Sequence, residues 1–168
     1  YGGAYNGSLQ VLSRIVSLSY LWNVIRVQGG AYGTGLSLSN SGNACFYSYR
    51  DPTAARSLNA YRQTEGFIKQ FCGTKPDLTR FIVGTVAEMD PLMLPGRQGK
   101  ASDRWYLTGI EHADQCAERR EILSTTPERL AAFAQLMYEV SENGSICVIG
   151  SKRQIESCGE EIDSICIL

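Results

Sequence analysis

The segment from Leu21 to Gly35 places two hydrogen-bond donors beside an unusual number of glycines. Arg26 and Tyr32 lie six residues apart, and four glycines fall between positions 29 and 35. A tight turn would fix the guanidinium and the phenol relative to each other, and both groups donate hydrogen bonds. From residue types alone, the plainer interpretation is favoured: Arg26 pairs with a carboxylate and Tyr32 fills the core, because buried polar groups are usually satisfied locally.

The glycines of this segment do not match a nucleotide-binding loop. A phosphate-binding P-loop ends in Gly-Lys-Ser/Thr, which is absent here. The dinucleotide fingerprint runs from strand through turn to helix, whereas here a predicted helix precedes the turn, so no helix N-terminus is available to bind an anion. We expect Gly29, Gly30 and Gly33 either to turn the chain or to let another chain approach its backbone closely.

The sequence gives little support for a metal site within the chain. Its single histidine, His112, is flanked by Glu111 and Asp114, and we expect it to be an exposed helix residue. No two cysteines are spaced as Cys-x-x-Cys, which argues against a zinc ribbon or a thioredoxin-like site. Since a domain of this length seldom needs disulfides, we expect reduced, structural cysteines and a reducing compartment. The six cysteines are Cys45, Cys72, Cys116, Cys147, Cys158 and Cys166.

Length and composition indicate one ordinary globular domain. The chain has 168 residues, 43% of them hydrophobic, and a formal net charge of -1. This balance does not predict a nucleic-acid partner, because such domains usually concentrate positive charge. No apolar run approaches the roughly 18 residues that would suggest a membrane span.

Hydrophobic periodicity and turn residues predict the elements that would position Arg26 and Tyr32. Arg26 lies near the end of a largely buried helix that Ser8 caps and whose core stripe includes Trp22, and Tyr32 begins a hairpin. Arg50 and Asp51 close that hairpin with a local ion pair. The predicted helices cover 8–28, 53–72, 77–89 and 101–122, the last broken near Gly109. A further helix, capped by Thr126, runs from Pro127 to Asn143, and Ser151 caps a last short helix. The predicted strands cover 32–39, 43–50 and 145–150.

This order predicts an α+β fold in which helices are layered on an antiparallel or mixed sheet. Three strands are few for a sheet covered by so many helices. We therefore expect a single domain over 1–168 whose first strand lies upstream of Tyr1.

Two neighbouring stretches carry a resemblance to a known family: YLWNVIRVQGGAYGTG and GNACFYSYRDP. They resemble the C-terminal half of presequence-protease-type members of the pitrilysin/insulinase family of zinc metallopeptidases. Weaker similarity, in YGGAYNGSLQVLS and in PERLAAFAQLMYEV with ICVIGSK, extends over most of the chain. In that family an Arg and a Tyr reach from the C-terminal half to a zinc site on the N-terminal half, and these match Arg26 and Tyr32.

The resemblance implies that the chain is a C-terminal domain of a four-domain peptidase whose halves enclose an extended peptide. The family's zinc motif, His-x-x-Glu-His, cannot be completed by one histidine, so zinc and its ligands are expected on an N-terminal half of the same polypeptide. Arg26 and Tyr32 would donate hydrogen bonds to the substrate carbonyl and its oxyanion, with Gly29, Gly30 and Gly33 beside the substrate. The fragment alone is expected to be inactive.

The resemblance also implies a location and leaves two alternatives. The parent enzyme is expected in the cytoplasm if it is bacterial, and in the mitochondrial or plastid matrix if it is eukaryotic. One alternative is a non-catalytic structural relative of the same fold. The other is a free-standing binding module that uses the glycine-rich turn as a ligand loop.

Overall fold

The computed structural model describes residues 5–159, 162, 164 and 166. In chain order, helix α1 (Ser8–Ile15) and a π-helix, π1 (Val16–Val27), are followed by strands β1 (Gly33–Leu38) and β2 (Ala44–Tyr49) and by helices α2 (Ala54–Arg62), α3 (Thr64–Gly73), α4 (Thr79–Met89), α5 (Pro95–Thr108), α6 (His112–Leu123), α7 (Pro127–Ala132), α8 (Ala134–Asn143) and α9 (Lys152–Glu156).

The predicted first helix is present, but its second half is a π-helix. The Gln28 amide bonds to the Asn23 carbonyl, five residues back, at 3.0 Å. This wider turn changes which side chains face the core: Leu21 is fully buried, whereas Trp22 is 39% exposed. The prediction that Trp22 belongs to the core stripe was wrong, because it assumed the α-helical repeat.

The hairpin agrees with the sequence prediction. Strands β1 and β2 pair antiparallel from Gly33 opposite Tyr49 to Leu38 opposite Ala44. Gly42 has a φ of +85° in the connecting turn, where glycine avoids the strain that a side chain would cause.

Two predicted helices are each interrupted once. The helix expected over 53–72 breaks at Gln63, and the helix expected from Pro127 to Asn143 breaks at Phe133. Both residues have a ψ near zero, -1° and -2°, which interrupts the regular backbone and redirects the following helix. The periodic pattern did not reveal these breaks because apolar residues continue on both sides of them.

Several predicted helix ends are confirmed. Thr126 accepts a hydrogen bond from the Arg129 amide, and Ser151 caps α9 with a reciprocal bond to Gln154. Gly109 ends α5 with a φ of +69°.

Two helix starts differ from the prediction. Helix α5 begins at Pro95 rather than at residue 101, since proline suits the first helical position. At α1, Ser8 lies within the helix, and its amide bonds to the Asn6 side chain at 3.0 Å.

The strand predicted over 145–150 does not join the sheet. Residues 145–149 belong to neither a helix nor a strand, and Cys147 is exposed, as is Ile149 at 86%. The α+β class is nevertheless confirmed, because the antiparallel β1–β2 pair packs against helices.

The core lies between α1 and the later helices. Ile122, Leu130 and Met137 are fully buried, and the Thr125 hydroxyl bonds to the buried Ser8 hydroxyl at 2.9 Å. These contacts fix α1 against the later helices. Because π1 and the hairpin follow α1 directly along the chain, their position is fixed as well. Within the described part of the chain, no helix is long and apolar enough to cross a membrane.

Candidate functional site

The turn between π1 and β1 reverses the chain within a few residues. The Gly30 amide bonds to the Arg26 carbonyl at 3.0 Å, and the Ala31 amide bonds to the Ile25 carbonyl at 3.2 Å. Gly30 has a φ of +82°, and a Cβ on Gly29 would lie only 2.5 Å from the Ile25 carbonyl oxygen. These two glycines are therefore needed for the turn itself.

Gly33 differs from the two turn glycines. A Cβ added there would meet no atom within 4 Å, and its φ is not positive. Neither conformation nor packing within the described residues requires glycine at this position, so the backbone of Gly33 is open to approach from outside.

Arg26 is held in place at the last turn of π1. Its guanidinium carbon lies 4.0 Å from the centroid of the Trp22 ring, and its Nε donates to the Tyr32 carbonyl at 2.9 Å. Its two terminal nitrogens make no hydrogen bond to the described residues, and no carboxylate there pairs with it. The plainer interpretation of Arg26 as half of a local ion pair is therefore wrong.

Tyr32 lies on the surface rather than in the core. Its side chain is 65% exposed, and its phenol makes no hydrogen bond within the described residues. The backbone is fixed by the bond from the Tyr32 amide to the Tyr49 carbonyl at 3.0 Å. The ring meets the Tyr49 ring edge-on, with centroids 6.0 Å apart. Core packing is thus excluded as the role of Tyr32.

Arg50 joins this cluster, although sequence reasoning assigned it to a local ion pair. Its guanidinium carbon lies 5.8 Å from the Tyr32 ring centroid and 5.4 Å from that of Tyr49. The Asp51 carboxylate instead accepts from the Thr53 amide and the Ser57 hydroxyl. Arg50 has a φ of +48°, which costs energy for a residue with a side chain. The sequence carries no signal for this conformation.

We call the cluster formed by Trp22, Arg26, Tyr32, Tyr49 and Arg50 the donor patch. It contains two guanidinium groups and two phenols and, among these five residues, no carboxylate. Tyr47 extends it along the exposed face of β2, and its hydroxyl lies 2.7 Å from the position that a Cβ on Gly35 would take. Such a surface suits an oxygen-rich partner, including the carbonyls of an extended peptide.

Metal-ligating residues do not gather at the donor patch or elsewhere in the described residues. His112 begins α6 in an exposed position, as predicted, and its Nδ1 lies 3.6 Å from the Cys116 sulfur. Among residues 5–159 and the described positions beyond them, no three His, Cys, Asp or Glu side chains could hold a metal ion. Since a zinc site takes three or four protein ligands, these residues do not fit zinc.

Comparison with known proteins gives consistent matches. The family model described as the PreP C-terminal domain matches residues 1–152. Protein HypA of Clostridium perfringens is 32% identical over 156 residues, which is 93% of this chain and 16% of that protein. Presequence protease 1, chloroplastic/mitochondrial, of Arabidopsis thaliana is 32% identical over 161 residues, covering 95% of this chain and 15% of the relative. The mitochondrial presequence protease of Drosophila melanogaster is 31% identical over 146 residues, covering 85% and 14%. The chain thus spans about one sixth or less of the length of these relatives.

Proposed function

The chain belongs to the family of PreP C-terminal domains, and from that premise we propose that it is the substrate-binding C-terminal domain of a longer zinc-dependent peptidase. In this proposal Arg26 and Tyr32 donate hydrogen bonds to the carbonyl oxygen of an extended peptide beside the bond that is cleaved. The observation that supports it most directly is that both residues are held in place, Arg26 through its Nε and Tyr32 through its backbone amide, whereas their terminal donors make no hydrogen bond to any described residue.

Fixed donors are what this role requires. An oxyanion forms only in the transition state, and donors that are already aimed at it lower the barrier without having to reorganise. Arg26 is restrained by the Trp22 ring and by the Tyr32 carbonyl, so its planar guanidinium is held in place as a preformed fork. Tyr32 adds a neutral donor from the first residue after the turn.

The neighbouring groups favour the same ligand. Arg50 adds a second positive charge over the Tyr32 and Tyr49 rings, which favours an anionic over a neutral carbonyl oxygen. The open backbone at Gly33 leaves space for a peptide along the start of β1. In this proposal Gly29 and Gly30 shape the turn, and Gly33 takes the closer approach to substrate.

The zinc site of this peptidase is proposed to lie outside the chain, because the described residues do not fit the metal. The resemblance implies an N-terminal half of the same polypeptide that carries zinc and closes over the donor patch. The names of the plant and insect relatives specify chloroplasts or mitochondria, and we propose the matrix of such an organelle for a eukaryotic parent and the cytoplasm for a bacterial one.

The test is peptidase activity of the longer polypeptide with Tyr32→Phe, which removes one hydroxyl. We expect the turnover number to fall on the order of a hundred- to a thousand-fold, as for other lost oxyanion donors. Tyr106→Phe, which removes an exposed phenol on α5 outside the donor patch, is the matched control and should retain nearly full turnover. Turnover of Tyr32→Phe within a factor of about two of the unmodified enzyme would overturn the assignment.

A chelator separates this proposal from a non-catalytic relative. Chelator-sensitive cleavage by the longer polypeptide, with none by the 168-residue chain, is the expected result. The absence of cleavage by either would favour the non-catalytic relative, and activity of the chain alone would contradict the proposal.

A further inference from the structure

Arg50 keeps a backbone conformation that is costly for a residue with a side chain. Its φ is +48°, and Lys75, at +46°, is the only other non-glycine residue of the described chain with a positive φ. Lys75 follows the C-terminus of α3, where a left-handed residue commonly ends a helix. Arg50 follows β2 and has no such local reason. Glycine would remove the strain, so the presence of arginine points to a function of its side chain.

The residues on both sides of Arg50 are held in place. On one side, the Tyr49 carbonyl accepts from the Tyr32 amide at 3.0 Å. On the other side, the Asp51 carboxylate accepts from the hydroxyl of Ser57, a residue that is 2% exposed. Arg50 therefore lies on a fixed base between β2 and α2, and the fold around it imposes its conformation.

The guanidinium of Arg50 lies beside two exposed rings. Its carbon is 5.4 Å from the centroid of the Tyr49 ring and 5.8 Å from that of the Tyr32 ring, and these tyrosines are 55% and 65% exposed. Within the described part of the chain, the guanidinium makes no ion pair and no hydrogen bond. Its five N–H donors lie in a rigid plane whose geometry matches the two oxygens of a carboxylate.

The neighbouring arginines already have hydrogen-bond partners. Arg56, on α2, donates to the backbone carbonyl and to the side-chain oxygen of Gln28, each at 3.3 Å. Arg26 donates through its Nε to the Tyr32 carbonyl. Among the described arginines around this turn, Arg50 alone keeps all five donors available for a ligand.

The charge of the surrounding sequence favours an anionic ligand. Residues 1–64 contain five arginines, no lysine and one acidic residue, Asp51. The Asp51 carboxylate accepts from Thr53 and Ser57 instead of pairing with Arg50. A carboxylate brought by a ligand would gain the attraction of several cations and meet little repulsion.

We propose that Arg50 determines substrate specificity by binding a carboxylate of the peptide close to the bond that is cleaved. This inference rests on the proposed function, in which Arg26 and Tyr32 receive the carbonyl of that bond. An extended peptide advances about 3.3 Å per residue, and the Arg50 guanidinium carbon lies 5.8 Å from the Tyr32 ring centroid, so the carboxylate belongs within about two residues of the bond. An aspartate or glutamate side chain, or the C-terminal carboxylate of a short peptide, supplies this group.

The test is competition between matched peptides for cleavage by the longer polypeptide. Each pair differs by Glu against Gln at one position within two residues of the cleaved bond, and a further pair carries a C-terminal carboxylate against a C-terminal amide. We expect kcat/KM to be about five- to twenty-fold higher for the acidic member of at least one pair, since a charge-assisted hydrogen bond is strong but this one is partly exposed. The two kinds of pair show which source of carboxylate Arg50 takes. A ratio within a factor of about two in every pair would overturn the proposal.

Variants at two arginines assign the effect to one side chain. Arg50→Gln should bring the ratio close to unity, and Arg50→Lys should keep only part of it, because an ammonium keeps the charge without the planar fork. Arg56→Gln is the matched control, since it removes the same charge nearby and should keep the ratio. An equal loss in Arg56→Gln would overturn the assignment and show a general effect of positive charge.

Arg50→Gly separates specificity from folding. Glycine adopts a φ of +48° without strain, so the melting temperature of the longer polypeptide should not fall, whereas the preference for acidic peptides should be lost. A lower melting temperature would show that the side chain supports the fold instead, and a retained preference would exclude Arg50 as its source. Either result would overturn the proposal.

The same ratio separates this inference from the proposed function. If Tyr32→Phe leaves turnover unchanged while acidic peptides keep their advantage, the donor role of Tyr32 fails and the role of Arg50 stands. Turnover that depends on Tyr32 without any advantage of acidic peptides is the opposite result. If the longer polypeptide cleaves neither peptide, equilibrium binding of the same pairs with a fluorescent label gives the ratio of dissociation constants, to which the same expected and overturning values apply.

Discussion

The guanidinium carbon of Arg26 lies 4.0 Å from the centroid of the Trp22 ring, one turn earlier on the same π-helix. The indole is 39% exposed, so it supports Arg26 from the solvent side rather than from the core. Two restraints, this ring and the Tyr32 carbonyl, set the direction of the guanidinium. A change at Trp22 should therefore alter the donor patch without disturbing the core.

Trp22→Leu in the longer polypeptide tests this support. A cation–π contact at an exposed site contributes about 0.5–1 kcal/mol, so we expect kcat/KM for a peptide to fall about two- to five-fold. Trp105→Leu, on α5, removes another exposed tryptophan and is the matched control. Equal losses in the two variants would show that Trp22 does not act through Arg26.

The turn glycines and Gly33 should respond differently to alanine. Gly30→Ala forces a side chain into a φ of +82°, and we expect it to lower the free energy of unfolding by about 1–2 kcal/mol. Gly33→Ala meets open space and should leave stability within about 0.5 kcal/mol. It should nevertheless raise KM for peptide substrates, because the added methyl occupies the approach to the backbone. Urea unfolding and steady-state kinetics measure both, and an unchanged KM would remove Gly33 from the substrate site.

Ser17 should hold the sheet edge against π1. Its hydroxyl accepts from the Leu36 amide at 2.9 Å, and Leu36 is buried, so Ser17→Ala leaves a donor unpaired. Such a group costs about 1–3 kcal/mol, and we expect a loss of stability in that range with faster exchange of the Leu36 amide. Ser19→Ala, two residues on, is the control. Unchanged exchange at Leu36 would mean that another acceptor replaces Ser17.

The Asp90–Arg119 ion pair should make stability depend on pH in the acid range. Hydrogen bonds from Arg119, one of them 2.6 Å long, lower the pKa of the Asp90 carboxyl below its ordinary 3.8. The folded state therefore binds this proton less readily than the unfolded state. The contribution of the pair is present above pH 3.8 and is lost as the pH falls through the lowered pKa.

Urea unfolding of Asp90→Asn across that range measures the effect. The variant should be less stable than the unmodified protein near neutral pH, and the gap should close on acidification. The pair is exposed, so the gap is small and should shrink in high salt. Asp103→Asn on α5 should show no such convergence, and a gap that persists at low pH would contradict the assignment.

The sequence predicted most elements correctly where local chemistry decides them. The cap at Thr126, the stop at Gly109 and the turn of the hairpin depend on neighbouring residues, and each was predicted from residue types. The sequence did not predict the breaks at Gln63 and Phe133 or the π-helix of residues 16–27. The apolar pattern continues through all three, and packing selects the backbone geometry.

The candidate site divides in the same way. Arg26, Tyr32 and the glycines were selected from the sequence, and resemblance supplied the role that stays a prediction. Only the structure shows that Trp22 is exposed and that Arg50 contacts two tyrosine rings. It also shows that Asp51 accepts hydrogen bonds from Thr53 and Ser57 instead of pairing with Arg50. They depend on residues that are distant in sequence or on a backbone angle that no residue type specifies.

By itself, the sequence determined the α+β class and the family and singled out Arg26 and Tyr32 as candidates, because periodicity, turn residues and a dense motif are local properties of the chain. The tertiary structure alone decided which donors are unpaired and which glycine is open. These properties depend on what lies across space from each group. The strand predicted over 145–150 has the right local pattern, yet a strand exists only where a neighbour supplies its hydrogen bonds.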